Sequence, residues 1–161
     1  MSSNDSSEIL VALGSNMPSR AGPPAETLKA ALAALAAAGV KILSVSSFYE
    51  TAAWPDSADP PFTNAAASIQ TSLQPFAFLE LLHAIETAFG RVRSRPNAAR
   101  TLDLDLLAHG GTIVDGPGLV LPHPRMAQRR FVLAPLAEIA SAWRHPVTGL
   151  TPGQMLAALD A

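Results

Sequence analysis

Asp103 and Asp105 stand in the stretch RTLDLDLL, residues 100–107. Leucines alternate there with polar residues, the period of a strand with one buried face. Residues i and i+2 of a strand point to the same side, roughly 6.5–7 Å apart along the chain. The two carboxylates therefore face one way together, while Leu102, Leu104 and Leu106 face the core. Aspartate is depleted in strands, and neighbouring carboxylates repel unless a cation lies between them. A divalent cation removes that cost. The chain has no cysteine, so a metal must be held by oxygen or histidine. A carboxylate pair suits Mg²⁺, which keeps waters and takes further ligands from substrate phosphates. A plain solvated strand face is the competing reading; it accounts for the polarity but not for the choice of aspartate.

Positive charge gathers around this strand. Of 11 Lys and Arg residues, seven are arginines between positions 91 and 130: Arg91, Arg93, Arg95, Arg100, Arg125, Arg129 and Arg130. Only Asp103, Asp105 and Asp115 oppose them there, so the segment is locally positive inside a chain of net charge −2. The planar, bidentate guanidinium suits phosphate and carboxylate. Neither a P-loop nor a G-x-G-x-x-G cradle is present. Carboxylate-held metal with arginines on either side is a phosphoryl-transfer arrangement. The arginine-rich loop 91–99 stands where a closing lid would be.

The elements that must position these groups are legible in outline. Residues 8–14 read as a buried strand, and GSNMPSRAGPP after it as a loop, with Gly14-Ser15-Asn16 a turn without chemistry. A helix over 24–38 starts on proline and stops at Gly39. Residues 40–51 read as one β-branched and aromatic strand, 52–62 as a proline-rich loop, and 63–73 as a strand running back beside the 40–51 strand. Pro75 opens a second helix whose apolar stripe is Phe78, Leu81, Leu82, Ile85 and Phe89, ended by Gly90. Glu80, His83 and Glu86 recur on its polar side. After the aspartate strand come short extended pieces joined by glycine turns, then helical pieces over 131–140 and 151–159. The order β-α-β-β-α-β with a C-terminal extension predicts an α+β, ferredoxin-like fold: an antiparallel sheet with helices on one face. No repeat or linker divides the chain, so a single domain over 1–161 is expected, with 1–7 flexible.

Composition narrows the class. At 48% hydrophobic and 15% charged residues the chain is globular rather than disordered. The near-neutral charge gives no general attraction to nucleic acid or membranes, and apolar runs break well short of a membrane span. The start, MSSNDSSE, is polar and acidic, unlike a signal peptide. A cytoplasmic, monomeric protein acting on small molecules is the expectation.

LGSN after the first strand, SSFYET, FTNAAASIQTSL, GRVR followed by RTLDLDLL, and LPHPRMAQRRFVLAPLAEIA together resemble the 6-hydroxymethyl-7,8-dihydropterin pyrophosphokinase family, from about residue 9 to 155. The resemblance implies transfer of the terminal pyrophosphate of ATP to the pterin hydroxymethyl oxygen, with release of AMP and two assisting Mg²⁺ ions. It also implies roles. Asp103 and Asp105 would hold the metals, with Asp103 also near the pterin. Arg91 and Arg100 would stabilise charge on the transferring group. His83, Glu86, Arg93, Arg100, Leu106, His123 and Arg129 would form the ATP site. Phe62 and Phe131 would sandwich the pterin, with Asn64 on its edge and Thr51 and Trp54 completing the pocket. His109 and His145 gain no role. The chain departs from the family pattern in lacking an aromatic residue in SRPNAA, in having Ala99 where a proline is common, and in carrying Phe62 where tyrosine is frequent. Two other readings compete: a metal-dependent phosphohydrolase, and a ferredoxin-like module binding RNA or a small ligand. Aspartates on the sheet and arginines in loops disfavour RNA binding.

Overall fold

The computed structural model describes residues 8–51, 61–91 and 101–160. Strand β1 (Ile9–Ser15) leads into helix α1 (Pro24–Ala37). Strands β2 (Lys41–Val45), β3 (Tyr49–Thr51) and β4 (Phe62–Gln70) precede helix α2 (Pro75–Ala88) and strand β5 (Asp103–His109). A hairpin of β6 (Val114–Gly116) and β7 (Leu119–Leu121), a 3₁₀ turn (Met126–Gln128), and helices α3 (Arg130–Ile139) and α4 (Pro152–Asp160) complete the order. The main sheet runs β2-β4-β1-β5, with β3 also paired to β4. Every pairing in it is antiparallel. The ferredoxin-like β-α-β-β-α-β core is therefore present.

Both long helices begin on the predicted prolines, where a missing N–H costs nothing. Helix α2 ends as its sequence dictates. Gly90, at φ 89°, takes the left-handed conformation that a side chain resists. Its N–H bonds the Thr87 carbonyl, and the Arg91 N–H bonds the Glu86 carbonyl. This Schellman closure turns the chain back and delivers Arg91 beside Glu86.

Three expectations change. Residues 40–51 form two strands, not one. The Ser46 side-chain oxygen accepts the Ala66 N–H at 2.9 Å, so a side chain replaces a main-chain acceptor and breaks the ladder. The returning strand stops at Gln70 rather than 73. Helices cover both faces of the sheet, not one. Val11, Leu13, Ala67, Ile69, Leu104 and Leu106 pack against α1 and α2 through Leu28, Leu35, Phe78 and Leu82. Leu10, Ala66 and Leu107 pack on the opposite side against Val132, Leu133 and Leu136 of α3, with Trp143 and Met155 beyond. The C-terminal extension is thus the lid of a second core. Glu138 ties α3 to the sheet, accepting from the Tyr49 hydroxyl at 2.7 Å and the Ser47 N–H at 2.9 Å. An Arg130–Asp160 ion pair ties α3 to α4.

Candidate active site

The register of the sheet places the chemistry. Gly14 on β1 stands opposite Asn64 on β4 and Asp103 on β5. One step along the same face, Ala12 stands opposite Ala66 and Asp105. Residues paired across a ladder share a face. The two aspartates therefore border a floor whose central strand contributes only a hydrogen and a methyl group. A Cβ on Gly14 would lie 3.0 Å from Asn64 Oδ1 and 3.8 Å from a Phe62 ring carbon. A side chain there would be tight, and the Asn64 amide would have to give way to admit it. Gly14 belongs to β1, and Ser15 and Asn16 after it are buried, so the expected turn begins later.

A cleft of about 510 Å³ opens along β5. Asp103, Asp105 and Arg91 line it with His83 of α2 and with His123, Arg125 and Arg129. The β6–β7 hairpin supplies Gly116, Gly118 and Val120. A register shift near Leu10 and Val11 leaves Leu107 without a partner on β1. The Leu107 carbonyl instead accepts the His123 N–H at 2.9 Å, which fixes His123 beside the aspartate strand.

Charges in the cleft are coupled. Arg91 Nη1 donates to Asp103 Oδ1 at 2.5 Å and to Glu86 Oε2 at 2.8 Å. Burial opposes the Arg91 charge, but Asp103 and Glu86 outweigh it and hold its pKa above the ordinary value. Arg129 Nη1 lies 4.0 Å from Asp105 Oδ2, and its guanidinium sits 5.6 Å from the centre of the Phe131 ring. Burial, and then the Arg129 charge, push the His123 pKa down to about 4. Its Nδ1 accepts the Arg125 N–H at 3.2 Å, the bond of a neutral ring. The donor set fits a hard cation: two carboxylates share one strand face at the cleft, only partly covered, with arginines to receive phosphate oxygens.

Of the expected residues, His83, Arg91, Asp103, Asp105, Leu106, His123 and Arg129 line this cleft, whereas Glu86, Thr51, Phe62, Asn64 and Phe131 are not among its lining residues. Glu86 was expected on the polar face of α2, lining the nucleotide site. It is 1% exposed and lies behind Arg91, because the Leu104 N–H and Arg91 satisfy its carboxylate inside the fold. Leu106 lines the cleft, but it is buried and belongs to the first core. Asn64 donates to the Thr51 hydroxyl at 2.7 Å, joining two expected pterin residues. Phe62 opens β4 beside Gly14, and Phe131 is exposed at the start of α3. Trp54, Arg93, Arg95 and Arg100, and with them the expected lid, lie outside the described residues, as do residues 1–7. Gly14 and the β6–β7 hairpin were not expected in the site, and Arg125 was expected only as part of the local positive charge. Their signals, a glycine inside an apolar strand and a second arginine beside His123, were present but ambiguous.

An antiparallel α+β fold with carboxylates and arginines converging on one cleft has the composition of a site for phosphorylated substrates. A profile of the 7,8-dihydro-6-hydroxymethylpterin-pyrophosphokinase family matches residues 10–141, and the chain belongs to that family. The 2-amino-4-hydroxy-6-hydroxymethyldihydropteridine pyrophosphokinase of Bacillus subtilis is 46% identical over 148 residues, covering 89% of this chain and 84% of that protein. The Synechocystis enzyme of the same name is 40% identical over 152 residues, covering 94% and 75%. Among solved structures, Plasmodium falciparum HPPK-DHPS shares the fold with a TM-score of 0.68 at 14% identity. The match covers 94% of this chain but only 43% of that one.

Proposed function

We infer that this chain transfers pyrophosphate from ATP to 6-hydroxymethyl-7,8-dihydropterin, giving the pterin diphosphate and AMP, a step of folate biosynthesis. The observation that carries this reading is the pairing of Asp103 with Arg91 and of Asp105 with Arg129 along one cleft of a chain of this family. The pterin hydroxymethyl oxygen attacks the β-phosphorus of ATP. A new P–O bond forms there, the bond from the β-phosphorus to the bridging oxygen breaks, AMP leaves with that electron pair, and the hydroxyl proton passes to water.

Asp103 and Asp105 would hold Mg²⁺, two ions on the family pattern. When bound, Mg²⁺ supplies charge neutralisation on the phosphate oxygens. Arg91, charged at any working pH, is held next to Asp103 by its acidic neighbours, so it would face the transferring group as a fixed positive charge. Arg129, held loosely by Asp105, is placed to receive nucleotide phosphate, and neutral His123 offers Nε2–H as a further donor. Asn64, oriented by Thr51, reads the pterin edge over the Gly14 floor, with Phe62 and Phe131 as ring platforms. Phosphoryl transfer asks mainly for positioning and electrostatics, which this cleft provides.

Two cores built on one shared sheet support a single catalytic domain. We read it as a cytoplasmic monomer acting on small molecules, without nucleic acid or membrane partners. Among the described residues no helix is long and apolar enough to cross a membrane. Nucleotide products are the test. AMP should form only when the pterin is present, in equal amount with the pterin diphosphate. ADP or free phosphate released without pterin would favour the phosphohydrolase.

A further inference from the structure

Glu86 is a buried carboxylate that the reaction as set out above does not use. Burying a charge is costly unless it is paired and hydrogen-bonded. Its Oε2 meets both conditions, accepting the Leu104 N–H at 2.7 Å and Arg91 Nη1 at 2.8 Å. Strand β5 is at the edge of the sheet. The Leu104 N–H points away from β1 and would otherwise be an open ladder donor. One carboxylate thus closes the strand edge between the two aspartates and centres the guanidinium that reaches Asp103. The helix end makes this possible. Residues 86 and 91 are joined by a main-chain bond of 3.1 Å as well as by their side chains. His83, one turn earlier, is exposed at the cleft, whereas Glu86 is turned behind Arg91.

We propose that Glu86 is a positioning residue: it does not contact the nucleotide but sets the place of Arg91 and the register of the aspartate strand. The proposal rests on the pyrophosphoryl-transfer reading, and its test separates the two. A non-hydrolysable ATP analogue with Mg²⁺ is titrated calorimetrically, and AMP formation is followed, in wild type, Glu86→Gln, Arg91→Ala and the double variant. Glu86→Gln keeps the shape and one acceptor. It should leave the analogue Kd within about threefold while kcat falls about tenfold. In the Arg91→Ala background the same change should alter kcat by less than about twofold, since residues acting as one unit are not additive. An analogue bound about tenfold more weakly by Glu86→Gln, or full additivity with Arg91→Ala, overturns the proposal. If Glu86→Gln does not fold, Glu86→Asp, which withdraws the carboxylate by one methylene, is judged by the same two criteria. Wild type that forms no AMP with pterin would overturn the reaction reading. The analogue affinities would still decide whether Glu86 touches nucleotide.

Discussion

The two faces of the sheet are made from alternate residues of the same strands, yet they do different work. Toward α1 and α2 the strands present Val11, Leu13, Ile69, Leu104 and Leu106, large side chains that fill a core. Toward α3 the corresponding stretch presents Ala12, Gly14, Asn64, Asp103 and Asp105, small or polar side chains that leave a floor and a rim. On β5 the division falls between adjacent residues. A strand stiffened on one face by close packing holds its other face still. That stillness is what a site relying on position and charge requires.

The largest effect that would break the comparison is expected on the polar face. Asp103→Asn should lower kcat by about 10²–10³-fold, judged from the size of metal and electrostatic terms. Near-normal turnover would remove Asp103 from the site. A smaller change is expected at the floor. Gly14→Ala brings a methyl group against Asn64 Oδ1, so pterin affinity should weaken about tenfold while ATP-analogue affinity holds. Calorimetry with each ligand separates these. Equal loss for both would mean a general distortion of β1.

The smallest effect concerns His123. Its folded pKa is about 4 against an ordinary 6.5, because of burial and then Arg129. The unfolded chain binds this proton between those pH values and the folded chain does not. Stability from neutral His123 is therefore complete above pH 6.5 and lost as pH falls toward 4. Unscreened, the loss over that window would be about 3 kcal/mol; solvent reaching the partly exposed ring screens it, so wild type should lose about 1–2 kcal/mol more than His123→Asn in denaturant melts. Parallel curves would show that the ring is not held neutral by the fold.

What was legible in the sequence follows the same division. The period of two in RTLDLDLL gave the faces of β5, and proline starts with glycine stops gave α1 and α2. Those are local signals. The split of residues 40–51 turns on the Ser46 hydroxyl meeting a distant strand, which no local period records. Glu86 sits in step with Glu80 and His83, so spacing made it look solvated. Its burial comes from a strand N–H and an arginine that only the tertiary fold brings to it. The docking of α3 and α4 on the second face was likewise hidden, because an amphipathic helix declares that it packs but not where. The family resemblance supplied candidate roles that residue types alone left open, while the internal pairing of Glu86 with Arg91 and the Leu104 N–H needed coordinates.

The most direct measurement compares neighbours on β5. Leu104→Ala and Asp105→Asn are each characterised by thermal melting and by AMP formation at low temperature. Leu104, buried in the first core, should cost about 2–5 kcal/mol of stability and spare kcat to within severalfold. Asp105→Asn should leave the melting temperature near that of wild type and lower kcat by about 10²-fold or more. If instead both variants lost stability and turnover together, the two faces would not be separable, and the division of labour across the sheet would be wrong.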